Sequence, residues 1–182
     1  VYTNPNNQED TRKNIEQPNC KPVSRGGAAP WRYISQSQAI IACAKAGKRL
    51  PSSEEWYLAS LGTPDIQGEW TANDCHVNKN WDIQPGFTGF GLNCISSAGA
   101  YDMVGNVWEW VKSEVRDGKM NGEEMPQSGY IYAVDIDGNP IETKVDSGDP
   151  NFSNDYLWIK TSGIRGMARG GYWDNKEKGG IY

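Results

Sequence analysis

The run Tyr101-Asp102-Met103-Val104-Gly105-Asn106-Val107-Trp108-Glu109-Trp110 sets a carboxylate on each side of a Gly-Asn turn. A cation seated at such a turn can take both carboxylates and the carbonyls between them. Hard ions such as calcium favour that oxygen-only mixture of side-chain and backbone ligands. Asp102 and Glu109 can equally cap the turn or accept backbone N–H bonds beneath the tryptophans. Spacing alone leaves both readings open. Trp108 and Trp110 are expected in or near the core, locking the turn, with Trp56 from an upstream helix beside them.

Little else in the chain has the residue types for catalysis. His76 is the only histidine, so neither a Ser-His-Asp arrangement nor a His-rich metal centre is credible. Cys20, Cys43, Cys75 and Cys94 show no Cys-x-x-Cys spacing, which argues against zinc. Four cysteines allow three pairings. Pairing Cys20 with Cys43 and Cys75 with Cys94 closes loops of roughly 20 residues, each worth about 3 kcal/mol by chain entropy. The alternative is four unpaired, mostly buried thiols in a reducing compartment.

The 182 residues are one domain's worth of chain. Net charge is −5 with no polybasic stripe, so nucleic acid is not an expected partner. No apolar stretch is long enough to span a bilayer, so no membrane insertion is expected. No secretory leader is visible, and the chain opens at Val1. A mean hydropathy of −0.72 predicts long polar loops. Eight Trp and nine Tyr are expected to supply much of the buried area.

Several elements must position the turn. Residues 1–19 are polar and read as a surface-lying or frayed N-terminal arm, leaving 20–182 as the folded domain. Ser35 with Gln38, and Ser52 with Glu55, are capping boxes. The first opens a helix with Ala39, Ile40, Cys43 and Ala46 at helical spacing, stopped by Gly47. The second turns Trp56 and Ala59 inward and ends at Gly62-Thr63-Pro64. Residues 63–99 read as a long irregular loop, of the kind held by a disulfide or an ion. Segments 130–134 and 140–144 alternate around Asp137-Gly138 as a hairpin. Asp135-Ile136-Asp137-Gly138-Asn139 lacks the further acidic ligands of a calcium loop and reads as a plain turn.

Three segments carry a family signature, in order: Gly47-Lys48-Arg49-Leu50-Pro51-Ser52-Ser53-Glu54-Glu55-Trp56, the turn from Tyr101 to Trp110, and Arg169-Gly170-Gly171-Tyr172-Trp173. Together they resemble the formylglycine-generating-enzyme/sulfatase-modifying-factor domain. The resemblance implies an α+β, C-type-lectin-like fold with two helices, a small twisted antiparallel sheet and long irregular loops. It implies calcium ligands at the side chain of Asp102, the carbonyls of Gly105 and Val107, and the side chain of Glu109. The family's oxidases bind copper through a cysteine pair after the Arg-Gly-Gly motif, yet residues 172–182 contain no cysteine. A soft copper site cannot be built from them. The iron-dependent sulfoxide synthases of the superfamily need several histidines. Neither copper nor iron is therefore expected, and the chain is expected not to be an enzyme. Family members continue to a closing strand, which is expected to be missing here.

Residues 172–182 also resemble the variable region of diversity-generating-retroelement proteins, C-type-lectin-fold binders whose C-terminal codons mutate at adenines. Tyr172, Asp174, Asn175 and Tyr182 are outcomes of such replacement in Asn codons; Lys176, Glu177 and Lys178 fit less simply. The expectation is a ligand-binding protein with a variable C-terminal surface, contacting an unknown protein or glycan. Its contacts would be Tyr172, Trp173, Asp174, Asn175, Lys176 and Tyr182. A cell-surface or secreted location is favoured. The alternatives are a formylglycine-generating-type oxidase or its non-catalytic partner, and a non-diversified surface-binding domain.

Overall fold

Local capping decides where the helices begin. The computed structural model describes residues 5–182, so residues 1–4 of the polar arm lie outside it. Helices α1 (Gln8–Glu16), α2 (Gln36–Lys45) and α3 (Ser53–Ser60) precede the strands. Both expected capping boxes form: Ser35 with Gln38, and Ser52 with Glu55, each exchange two bonds. The buried face of α2 differs from expectation. Ala39 and Ala42 are buried, whereas Ile40 is 45 % exposed. Small side chains let α2 lie close to its neighbours α1 and β1.

Residues 8–16, read from sequence as part of an arm, form a helix. Asn7 caps it by accepting from the Asp10 amide at 2.9 Å, and Arg12 sits between Glu9 and Glu16. Thr11 is fully buried and accepts from Trp31 Nε1 at 3.0 Å. Lys45 Nζ donates to the carbonyls of Ile15 and Gln17 at the helix end. This polar tie joins the segments that a Cys20–Cys43 bridge was expected to join. Cys20 and Cys43 are both unbonded.

The strands form two small antiparallel sheets. The first has β1 (Glu109–Arg116), β2 (Lys119–Met120), β3 (Glu123–Glu124) and β7 (Ile164–Arg169) in the order β3-β2-β1-β7. The second has β4 (Gly129–Val134), β5 (Pro140–Lys144) and β6 (Tyr156–Leu157) in the order β5-β4-β6. The β4–β5 hairpin is the expected one. The Asp135 carboxylate accepts from the amides of Asp137 and Asn139 and from Asn139 Nδ2, so it serves the turn. The β1–β7 register shifts between Trp110 and Glu114. Gln36 Nε2 fills that irregularity, donating to the carbonyls of Val111 (2.6 Å) and Ser113 (2.9 Å).

The core is assembled from small aliphatic and sulfur-bearing clusters. Cys75, Val77, Cys94, Val104 and Ile181 form one, Trp56, Met103 and Val111 another, and Val115, Met120 and Met125 a third. The expected Cys75–Cys94 disulfide lies in the first and staples the long loop. Aromatic burial is smaller than composition suggested. Trp56 and Trp81 are buried, but Trp108 and Trp158 are 41 % and 47 % exposed.

One turn ties these parts together. Asp102, Gly105 and Asn106 all have positive φ. In that geometry Asp102 N donates to Cys94 O, Gly105 N to Gly170 O and Asn106 N to His76 O. The buried Asn106 side chain also accepts from Gly86 N at 2.9 Å. A Cβ on Gly105 would stand 2.3 Å from His76 O, whereas one on Gly99, also at positive φ, meets open space. Gly99→Ala should cost about 1–2 kcal/mol for the left-handed backbone alone. Gly105→Ala should cost at least about 3 kcal/mol, because the clash adds to that strain. Urea unfolding of both variants measures the difference, and equal losses would contradict the tightness assigned to this turn.

Candidate functional site

Strand alternation governs what the tryptophan turn presents. Successive side chains of a strand point to opposite faces. In β1, Glu109 bonds Trp56 and Val111 packs in the core, so Trp110 between them points to the opposite face; Trp108, just before the strand, lines the groove. Trp108 is a groove residue, 41 % exposed, contrary to the expectation that it would lie in or near the core. Trp110 is half-buried, with its Nε1 donating to Ile34 O at 2.8 Å.

The groove holds about 1590 Å³ and runs between residues 20–34, the turn, and the Arg-Gly-Gly segment. Its aromatic walls include Trp31, Tyr33, Tyr101, Trp108, Tyr172 and Trp173. Ring contacts continue across the surface. Tyr172 stacks on Trp108 at 6.4 Å and meets Trp173 edge-on at 5.2 Å. Trp108 in turn meets Trp158 edge-on at 5.5 Å. The volume exceeds the roughly 300–1,000 Å³ of small-molecule sites and suits a longer ligand.

Beneath the aromatics lie the two carboxylates singled out from sequence. Asp102 is buried; its Oδ2 accepts from Gly89 N at 2.7 Å. Its Oδ1 is buried without a hydrogen bond of good geometry. Burial raises the Asp102 pKa, offset in part by the Gly89 amide and the nearby Asn106 side chain. Glu109 is half-exposed as a residue, but its carboxylate is enclosed and accepts from Trp56 Nε1 at 2.6 Å. Burial lifts its pKa to about 7; the Trp56 bond lowers it and the Asp102 charge raises it. Gly105 and Val107 occupy the turn between them. Two enclosed carboxylates within electrostatic reach, one with an unsatisfied oxygen, fit a hard cation. Among the described residues, no group of three or more His, Cys, Asp or Glu side chains gathers around one point, so any such site would depend on backbone carbonyls. His76, fully buried and stacked on Trp81 at 4.5 Å, has its pKa lowered to about 4 by burial.

The six expected contact residues do not form one patch. Tyr172 and Trp173 line the groove. Asp174 pairs with Lys79 Nζ at 2.7 Å. Asn175 turns inward, its Oδ1 accepting from Tyr172 N at 2.7 Å. Lys176 is exposed. Tyr182 lies apart, its ring 5.9 Å from that of Tyr57 and 5.2 Å from that of Phe152. Sequence reasoning missed Trp31 and Tyr33 as groove walls. Their only signal was aromatic character in an irregular stretch before α2.

Three helices, two small antiparallel sheets and a stapled irregular loop define an α+β domain of the C-type-lectin-like class. The sulfatase-modifying factor enzyme 1-like domain matches residues 3–178, and the chain belongs to that family. It is 30 % identical over 158 residues to the inactive C-alpha-formylglycine-generating enzyme 2 of Bos taurus, covering 78 % of this chain and 52 % of that protein. The Mus musculus protein of the same name is 28 % identical over 157 residues, covering 77 % and 51 %. A formylglycine-generating enzyme of Thermomonospora curvata is 31 % identical over 97 residues, covering 44 % of this chain and 32 % of that protein. The chain thus spans about half the length of the first two relatives.

The raised carboxyls give a signed prediction for metal-stripped protein. In the unfolded chain both groups titrate near pH 4. Between there and neutrality the folded state holds more protons, so stability falls as pH rises through that window. Glu109→Gln keeps an acceptor for Trp56 but does not ionise. It should remove about 3 kcal/mol of the loss between pH 4.5 and 7.5, as a shift of this size implies. Chemical denaturation across pH tests this; unchanged pH dependence in the variant contradicts the enclosed carboxylate.

Proposed function

We propose that this domain is a non-catalytic binding member of its family, taking an extended protein or glycan ligand in the groove walled by Trp108, Tyr172 and Trp173. One observation carries the reading: the partly exposed rings of Trp108, Tyr172 and Trp173 contact one another along an open groove, where a core would have buried them. Contiguous exposed apolar surface of this kind is typical of interaction sites. The absence of cysteine from residues 170–182 supports the non-catalytic part. So do the printed names of the bovine and murine relatives, which call those proteins inactive. In the same reading calcium sits between Asp102 and Glu109, with carbonyls of Gly105 and Val107 completing its oxygen shell. It would neutralise the two carboxylates and stiffen the groove floor.

A retroelement-diversified surface is the finer form of this reading, and one observation favours it. The loop after Gly171 is tethered by main-chain bonds: Lys79 N donates to Trp173 O and Lys176 N to Val77 O, both at 2.7 Å. Side chains at Tyr172, Trp173, Asp174 and Lys176 can then change without loosening those bonds. Asn175 and Tyr182 are tied into the fold and are poorer candidates for variation. Sibling gene copies that differ chiefly at the first four positions would support diversification, and copies that differ everywhere else would end it.

The binding reading is tested with peptide and glycan arrays. Trp108→Ala and Tyr172→Ala should abolish capture while leaving the protein folded at a cost of about 1–3 kcal/mol, as the loss of partly buried, ring-contacting aromatics implies. Capture unaffected by both substitutions would move the site elsewhere. Millimolar calcium should raise the melting temperature of stripped wild type but not of Glu109→Ala. Incubation with copper, oxygen and a cysteine peptide should leave the peptide mass unchanged, and conversion to an aldehyde would overturn the non-catalytic assignment.

A further inference from the structure

Away from the groove, two acids meet under the end of the chain. Asp65 follows α3 and Asp155 precedes β6. Asp155 is 1 % exposed. Gly180 packs directly over both: a Cβ there would lie 2.0 Å from Asp155 Oδ1 and 2.2 Å from Asp65 Oδ2. The two oxygens therefore converge on one spot. Both are buried, and neither accepts a hydrogen bond from an N–H donor; the hydroxyl nearest the Asp65 carboxyl is that of Ser153. The other Asp155 oxygen, Oδ2, accepts from Tyr182 N at 2.9 Å. The Asp155 carbonyl accepts from Ile131 N at 2.9 Å, which fixes the acid against β4.

The surrounding charge does not resolve this contact. Arg169, at the end of β7, is buried, and its Nη atoms donate to Gly138 O (3.2 and 3.1 Å) and Ile181 O (3.4 Å). Its charge favours ionised Asp155, and Asp135 from the β4–β5 turn faces the same guanidinium. Tyr57 from α3 and Tyr182 complete the titratable shell, and the Ser153 hydroxyl lies beside Asp65. Two bare carboxylates in contact at a buried site repel strongly, and a single proton between them replaces that repulsion with a charge-assisted O–H···O bond.

We propose that Asp65 and Asp155 share one proton in the native fold, and that this proton is a pH-sensitive clasp holding the Gly180–Tyr182 segment against α3 and β6. Burial, first of all, pushes both carboxyls above the ordinary carboxylate range, and the negative charge of Asp65 pushes Asp155 further. The sign follows. In the unfolded chain the pair is ionised above about pH 4, but the fold keeps its proton toward neutrality. The clasp is intact at acid pH and opens as pH rises through the folded value. What it steadies is the chain leading back to Tyr172 and Trp173, one wall of the groove.

Carbon-detected carboxyl titration of wild-type protein, with amide exchange at Tyr182, tests the clasp. One carboxyl of the pair should titrate near neutrality. Protection of the Tyr182 amide, corrected for intrinsic exchange, should fall about tenfold per pH unit above that midpoint. Asp65→Asn supplies a permanent N–H donor to Asp155, so its Tyr182 protection should be flat from roughly pH 6 to 9. If both carboxyls titrate below about pH 5, the proton is not shared and the proposal fails. It also fails if Asp65→Asn retains the wild-type pH profile. Should that variant not fold, the wild-type titration decides alone.

Discussion

The turn from Asp102 to Asn106 is the constraint on which the remaining structure hangs. Its left-handed residues aim consecutive backbone groups outward, so one short stretch bonds to Cys94, Gly170 and His76. Those partners belong to the stapled loop and the C-terminal signature, segments with little regular structure of their own. Without the turn, the irregular loop would keep its disulfide and a few separate main-chain bonds, to Leu61, Gly27, Ala28, Trp173 and Lys176, but would lose its tie to the start of β1. The turn also fixes the phase of β1. Once Glu109 is committed to Trp56, alternation sends Trp110 to the opposite face, while Trp108, just before the strand, is left on the groove. Groove and scaffold are thus set by the same few dihedrals.

The interior is rich in acids that the formal charge of −5 treats as ionised. Asp65, Asp102, Glu109 and Asp155 all have raised pKa values, with burial the first cause of each. Their net effect on folding is unfavourable at neutral pH unless a proton or a cation offsets them. Natural proteins often keep such groups where a bound partner can compensate. Here the two pairs sit at the groove floor and beneath the chain end, and the structure treats them differently. Asp102 and Glu109 have amide and indole donors on one side, whereas Asp65 and Asp155 face each other with only the Ser153 hydroxyl and the Arg169 charge nearby.

What could be read from sequence was local. Ser35, Gln38, Ser52 and Glu55 name their own partners within one turn, so both capped helices were legible. Asp137-Gly138 likewise fixed the hairpin, and proximity in sequence favoured the Cys75–Cys94 bridge. The same proximity misled for Cys20 and Cys43, because α1 and Lys45 join that region by carbonyl bonds. Helix α1 was hidden by its polarity, since Thr11 is its one buried residue. Asn7, three residues before Asp10, was the signal that could have revealed it. Trp108 was misplaced because aromatic type says nothing of strand phase. The Asp65–Asp155 contact joins residues far apart in the chain and leaves no trace in pattern or spacing.

The bond between Trp31 and Thr11 ties one wall of the groove to a helix that is otherwise almost wholly polar. The central core clusters contain no residue of that helix. A protease cutting between Gln17 and Cys20 would leave the sheets and the stapled loop intact, with α1, and through it Trp31, held by the Lys45, Trp31 and Arg32 bonds. Such a nick would loosen one wall of the groove while sparing the sheets, so that groove and scaffold can be separated by a single cut.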